Sequence, residues 1–356
     1  MNDEKKGVKK MRTFAKSSKL DNVCYDIRGP VMDEANRMIE QGVEILKLNI
    51  GNPAPFGFKA PQELVDMMRG NLENAEGYSD SRGLLKSRQA IVEYCKKKNI
   101  PNVGVNDIYT GNGVSELITL SMNGLLDNGD EVLVPSPDYP LWTASVTLAG
   151  GKAVHYLCDE QSNWYPDIAD MRKKITDKTK GIVIINPNNP TGRTAQPELL
   201  RKIVRKCTEN GVKPVVDECF NDFLEDAAQH TLKDLLESDP GLIILRAYTK
   251  MYAVPGVRFG WCMTADAALI EKLYHAGQPW NVSVIAQACA VAAANEPDWA
   301  TETAKRIAEE RKFLSDSLSV HGLKVFPGEA NFLLFRSNDT GLHEKLAEHG
   351  IMIRNC

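Results

Sequence analysis

The sequence predicts an α/β fold: a mostly parallel seven-stranded sheet between helices, joined to a smaller α+β domain. Three observations carry this. Short apolar runs recur through the middle of the chain, and several are continuously apolar rather than alternating, which suits strands covered on both faces. Helical patterns separate the runs, giving the strand–helix–strand rhythm of a doubly wound sheet. After about residue 281 that rhythm stops and a long amphipathic helical pattern takes over.

Taken in order, the N-terminal segment (1–55) precedes the sheet rhythm and is expected to pack with the small domain. The large domain is expected over 56–280 and the small α+β domain over 281–356. A first strand leads into "TGNGVSELITL" (110–120), a glycine-flanked turn that opens a helix. Further strands are read at 130–137, 152–157, 181–186, 213–218, 241–247 and 258–264. The segment 196–211 reads as a helix stopped by Gly211. The C-terminal pattern is one helix over 300–322, then strands in "LKVFP", "NFLLFR" and "GIMIR" around a helix at 341–349.

Composition narrows the function. A chain of 356 residues, 43% hydrophobic and 25% charged, is ordinary for a globular protein. It is long enough for one large domain with a satellite. The net charge of −4 gives no reason to expect nucleic acid as a partner. The basic group Lys5, Lys6, Lys9 and Lys10 lies beside Asp3 and Glu4 and reads as a solvated terminus. No apolar run approaches a membrane span. Eight scattered cysteines, no C-x-x-C pair and no signal peptide point to reduced thiols in the cytoplasm. The six histidines show no metal-ligand spacing, so no metal is expected.

Open α/β sheets bind ligands outside the carboxyl ends of their strands, so the polar groups that fall there are the informative ones. The turn at 110–113 leaves free backbone N–H groups at Val114 and Ser115, a cradle for phosphate or merely a helix cap. Tyr139 could lie flat on a heterocycle or be an ordinary part-buried aromatic. Asn189 in "INPNNPTG" could donate to a phenolic oxygen or a carboxylate, or belong to a tight turn of good turn formers. Asp217 ends a buried strand, where a carboxylate is costly without a cation. Lys250 and Arg258 follow the next strand and could be a structural partner for Asp217 and a surface arginine.

Each feature is ambiguous alone; together they fit one ligand, pyridoxal 5′-phosphate. Lys250 would bond its aldehyde and later carry the substrate proton. Asp217 would hold the pyridine nitrogen protonated, making the ring an electron sink. Asn189 would hydrogen-bond the ring oxygen. Arg258, Thr249, Ser115 and the Val114 N–H would anchor the phosphate, and Tyr139 would stack on the ring.

"NPNNPTG", "VVDE" and "TKMYAVPGVRFG" resemble the class I/II aminotransferases, fold type I of the pyridoxal-phosphate enzymes, over nearly the whole chain. The resemblance implies a homodimer with shared active sites. Tyr78 of one subunit would touch the phosphate in the other, and Gly51 would lie near the substrate. Residues 17–192 look like bacterial alanine (glutamate–pyruvate) aminotransferases, which implies that Tyr25 and Arg28 reach the substrate. From 193 onward the chain looks like threonine-phosphate decarboxylase and histidinol-phosphate aminotransferase. Phe220 stands where many relatives have a tyrosine, leaving Asn189 as the sole donor to the ring oxygen. Ala247 stands where many have a phosphate-binding serine or threonine. The change of likeness suggests either a composite joined at the 186–192 loop, natural, engineered or an assembly artefact, or a uniform ancestor with mixed features. The stop at "GIMIRNC" implies a truncation ahead of the arginine that clamps the substrate α-carboxylate, for which Arg354 is a poor substitute. The expected activity is transamination between an L-amino acid of the alanine/glutamate type and a 2-oxo acid. The alternatives are phosphothreonine decarboxylation, histidinol-phosphate transamination, or cofactor binding with weak turnover.

Overall fold

The computed structural model describes residues 15–21, 23, 30–98 and 103–356. Helix α1 (Pro30–Glu40), a two-residue strand β1 (Leu46–Lys47), α2 (Gln62–Gly70) and α3 (Leu85–Lys97) precede the main sheet. The sheet and its crossovers then run β2 (Ile108–Gly111), α4 (Val114–Leu125), β3 (Glu131–Ser136), α5 (Leu141–Leu148), β4 (Lys152–Leu157), α6 (Ile168–Lys174), β5 (Thr179–Ile185), α7 (Pro197–Glu209), β6 (Lys213–Asp217), α8 (Ala227–His230), β7 (Ile243–Ala247) and β8 (Gly260–Met263). Beyond them lie α9 (Ala267–Ala276), α10 (Val284–Ala293), α11 (Pro297–Val320), β9 (Lys324–Phe326), β10 (Leu334–Arg336), α12 (Leu342–Glu348) and β11 (Ile351–Met352).

Seven strands form one sheet in the order β2-β8-β7-β6-β5-β3-β4. All run parallel except β8, which is antiparallel to both its neighbours. The continuous apolar runs have a direct cause. Ile182, Ile184, Val216 and Ile244 pack into one core, and Val183, Ile185, Val215 and Ile243 pack into another on the opposite face. Successive residues of a strand point to opposite faces, so a sheet covered twice needs an apolar residue at every position. Each such side chain contributes roughly 1.5–3 kcal/mol of burial. One core also takes residues of α3, α7 and α10, and the other takes residues of α4, α5 and α9.

The strand read at 258–264 starts later, at Gly260, because Arg258 has a left-handed backbone (φ +60°) and ends the preceding loop instead. Gly260 brings β8 against the start of α4: a Cβ there would lie 2.9 Å from the Val114 nitrogen. The C-terminal strands do not share a sheet. Strands β9 and β10 form an antiparallel pair, whereas β11 pairs in parallel with β1 (Leu46 with Ile351, Lys47 with Met352). Ala35, Ala347 and Met352 make a small separate core there, with Ile45 against it. Helix α11 buries only Ala300 and leaves Phe313, Leu314 and Val320 exposed, so it is less deeply packed than its amphipathic pattern suggests. No helix among the described residues is long and apolar enough to cross a membrane.

Candidate active site

Two adjacent carboxylates at the end of β6 have opposite environments. Glu218 is buried and fully met: Arg246 donates to it through Nε (3.0 Å) and Nη2 (2.5 Å), Thr231 through Oγ1 (2.8 Å) and Leu232 through its backbone N–H (2.9 Å). Asp217 points to the other face, is 6% exposed, and accepts from the Cys219 N–H at 3.1 Å. Among the described residues no cation lies within ion-pair distance of it, so a structural Asp217–Lys250 pair is not formed. Burial raises its carboxyl above the usual carboxylate range, partly offset by the bond from Cys219. An anion kept so dry, beside one so thoroughly paired, calls for a cationic partner from outside the chain.

Lys250 follows β7 and is half-buried. Its Nζ donates to the Gly51 carbonyl at 2.8 Å, which joins the N-terminal segment to the strand ends. Burial lowers the Lys250 ammonium below its usual range, and the positive charge of Arg258 adds to the effect. A larger fraction is therefore neutral amine, the nucleophilic form. Cys219 lies between the two groups: burial and then Asp217 push its thiol well above the usual range, while Lys250 pulls the other way.

The turn before α4 forms a cradle. Gly113 has φ +75° and offers no side chain to cap the helix, so the first N–H groups of α4, at Val114 and Ser115, have no capping side chain. Arg258 arches over the turn, donating from Nη1 to the Pro255 carbonyl (3.1 Å) and from Nη2 to the Asn112 carbonyl (3.3 Å). A Cβ on Gly113 would sit 2.8 Å from Arg258 Nη2. Thr249 is buried next to Lys250. Guanidinium, helix N-terminus and absent Cβ make an anion site.

Tyr139 follows β3, half-buried against the core on the Asp217 face. In the loop after β5, Asn188 is the latch: its Nδ2 donates to the Pro137 carbonyl (3.3 Å), and its Oδ1 accepts from the Thr191 N–H (3.2 Å) and hydroxyl (2.9 Å). Asn189, fixed by that latch, is half-buried with no side-chain hydrogen bond among the described residues. Phe220 packs edge-on to Phe332, with centroids 5.1 Å apart. Tyr78 is 83% exposed and stacks on Trp280 at 4.3 Å. Arg354 is exposed near the chain end. Tyr25 and Arg28 lie outside the described residues.

Lys250, Asp217, the cradle and Arg258 thus stand around the carboxyl ends of β2, β6 and β7, with Gly51 reaching in. A buried carboxylate lacking a cation, a depressed lysine and an anion cradle are the complement of pyridoxal 5′-phosphate, and these residues fit it. The sequence pattern of "Aminotransferase class I and II" matches residues 43–356. The chain belongs to the class I and II aminotransferases. Members of this family are pyridoxal-phosphate-dependent. The glutamate-pyruvate aminotransferase AlaA of Haemophilus influenzae is 58% identical over 252 residues, covering 70% of this chain and 62% of that protein. A histidinol-phosphate aminotransferase of Ruminiclostridium cellulolyticum is 30% identical over 270 residues, covering 75% of this chain and 72% of that protein. An alanine aminotransferase of Pyrococcus furiosus superposes with a TM-score of 0.85 at 30% identity, covering 95% of this chain and 90% of that one. The chain spans about 62% of the length of the curated AlaA relative.

Any 252-residue stretch of a 356-residue chain includes the 186–192 loop, Asp217 and Lys250. The likeness to the alanine enzymes therefore runs past the loop, and the change of relatives expected there is not where that likeness ends. The sequence reading also passed over Cys219, Asn112, Glu116 and Asn281. The one available signal was Glu116, an acid in the first turn of a helix that opens on glycine.

Proposed function

We propose that this aminotransferase exchanges an amino group between an L-amino acid of the alanine/glutamate type and a 2-oxo acid. The observation that carries the chemistry is the buried, cation-free Asp217 set against the depressed Lys250. The substrate class is supported by the 58% identity to a protein named glutamate-pyruvate aminotransferase. When bound, pyridoxal 5′-phosphate supplies an aldehyde that captures amines and a ring that withdraws electrons from the bond to be broken.

The chain's residues divide the remaining work. The Asp217 carboxylate would meet the positive charge of the ring nitrogen and hold the proton there. Lys250 Nζ would hold the aldehyde carbon and, once freed by the amino group of the substrate, would as a neutral amine take up the proton from the substrate Cα. The carbonyl of Gly51 is the acceptor on which the released amine rests. Asn189 Nδ2 would donate to the ring oxygen, with no second donor from Phe220, and Tyr139 would cover the ring. Val114, Ser115, Thr249 and Arg258 would hold the phosphate, joined by Tyr78 from a second copy in a homodimer. Gly51 would lie on the substrate side, and the family resemblance assigns substrate roles to Tyr25 and Arg28 as well. The division into an N-terminal segment, a large domain and a small domain belongs to the same reading, and the β1–β11 pairing supports it.

Borohydride reduction in the presence of pyridoxal 5′-phosphate should label Lys250, and Lys250→Ala should take no label there and lose turnover. Assays with alanine plus 2-oxoglutarate should give pyruvate and glutamate. Carbon dioxide from O-phosphothreonine without oxo-acid product would instead favour decarboxylation.

A further inference from the structure

The carboxylate nearest the cradle has the wrong sign for it. Glu116 is the third residue of α4, in the same first turn whose N–H groups face the anion site. An acid beside a phosphate repels it unless its charge is spent elsewhere. It is spent backwards. Glu116 Oε2 accepts from the Asn112 backbone N–H (2.7 Å) and from Asn281 Nδ2 (3.0 Å), and its Oε1 accepts from Asn112 Nδ2 (3.2 Å). Asn112 Nδ2 also donates to the Asn281 carbonyl at 2.7 Å. The Asn112 carbonyl in turn accepts from Arg258 Nη2.

The chain of contacts therefore runs Glu116 to Asn112 to Arg258. Asn112 lies between Gly111 and Gly113, where nothing but hydrogen bonds restrains the backbone. Three donors on one carboxylate fix both its N–H and its amide, and so fix the direction of its carbonyl. Asn281 extends the network to the far side: it is 9% exposed, its Nδ2 also reaches the Thr110 carbonyl (3.3 Å), and it follows Trp280, on which Tyr78 stacks. The Trp280 N–H is itself held by Ser81 Oγ at 2.8 Å, in the segment that carries Tyr78.

We propose that Glu116 is a positioning residue for the phosphate cradle: through Asn112 it sets the turn and the arginine that receive the anion, and through Asn281 it ties that turn to the Trp280–Tyr78 pair. The proposal rests on the pyridoxal-phosphate reading. It touches neither Lys250 nor Asp217, so it separates the phosphate from the ring. Pyridoxal, which lacks the phosphate, is the control ligand.

The test titrates the full chain with pyridoxal 5′-phosphate and with pyridoxal, by cofactor absorbance, for the parent, Glu116→Ala and Glu116→Gln. The dissociation constant for pyridoxal divided by that for pyridoxal 5′-phosphate isolates the cradle. Loss of a charge-assisted anchor should cut that ratio by roughly tenfold in Glu116→Ala. The pyridoxal constant should stay within about twofold, since the two ligands share every group but the phosphate. Glu116→Gln keeps one acceptor oxygen and should fall between. A ratio unchanged in both variants overturns the proposal, as does an equal loss of both ligands, which marks a general structural role. Should Glu116→Ala not fold, Glu116→Gln decides: a ratio lowered about threefold supports the proposal and an unchanged one overturns it. A parent that does not discriminate the two ligands, or a Lys250→Ala variant that binds pyridoxal as the parent does, condemns the cofactor reading itself instead.

Discussion

Asp217 and Glu218 are neighbours in sequence with the same functional group, and only the pleat separates their fates. Glu218 turns to the face where Arg246 waits; Asp217 turns to the face where no cation comes within ion-pair distance among the described residues. That difference has a consequence for stability. The Asp217 carboxyl is harder to ionise in the folded chain than in the unfolded one. A raised carboxyl means the folded state binds more protons, so stability falls as pH climbs above the unfolded value of 3.8 and is lowest above the folded one. Asp217→Asn keeps the shape and deletes the charge. Without cofactor, it should melt higher than the parent at neutral pH, by about 1–3 kcal/mol of stability, and the gain should vanish below the ordinary carboxylate range. Thermal melts across pH check this; no gain at neutral pH would mean that the carboxylate is compensated. The same variant should lose transamination. At this scale much was legible, because Asp217, Lys250 and Arg258 fall at strand ends where charge is out of place. Cys219 was not, since nothing in a lone cysteine says that its thiol sits between an acid and an amine.

Elements were legible in proportion to how deeply they are buried. The runs that became β3, β5, β6 and β7 are largely apolar because both faces are covered, and a burial pattern of that kind survives in the sequence. Strand β11 falls in the expected "GIMIR" run, but no local pattern records its partner β1, two residues near the other end of the chain. Arg258 marks the other failure. Its φ of +60° ends the loop that β8 was expected to absorb, and its neighbours Val257 and Phe259, both good strand formers, do not announce it. The start of α4 lies between these cases: two glycines flag the turn, but only the structure shows what their missing side chains make room for. Gly113→Ala adds a Cβ 2.8 Å from Arg258 Nη2 and forces a left-handed conformation on alanine. The conformation, φ +75° with ψ 172°, costs about 1–3 kcal/mol. The clash is with the tip of a flexible side chain, so Arg258 gives way and the helix does not. The variant should fold with a slightly lower melting midpoint and bind pyridoxal normally. Its affinity for pyridoxal 5′-phosphate should drop at least tenfold, an anchoring guanidinium being worth about that much. Equal weakening of both ligands would show instead that the turn shapes the whole pocket.

At the scale of the whole molecule, one group of the proposed site, Tyr78, is proposed to act in a second copy of the chain. Tyr78 stands 83% exposed, stacked on Trp280, which is itself 54% exposed. Large apolar side chains left in water at one place mark a contact surface, and the reading of Tyr78 as a phosphate ligand requires that surface to be a second copy of this chain. The arrangement makes a prediction that a monomeric site cannot mimic. Lys250→Ala removes the amine from its own site but still lends Tyr78 to the neighbour. Tyr78→Ala keeps its amine but spoils the neighbour's cradle. Each homodimer is then impaired at both sites. In a hybrid dimer, the Tyr78→Ala subunit holds an intact lysine and receives an intact tyrosine from the Lys250→Ala subunit, so one site is whole. Unfolding and refolding the two variants together in equal amounts makes about half of the dimers hybrid by random pairing, so about a quarter of all sites are restored. Activity should rise from the residual level of the variants towards about a quarter of the parent's, with Tyr78→Ala alone setting the baseline. Mixing without refolding should restore nothing until subunits exchange. Activity that stays at the average of the two variants after refolding would place Tyr78 outside any shared site, and sedimentation of the refolded mixture would show whether dimers had formed at all.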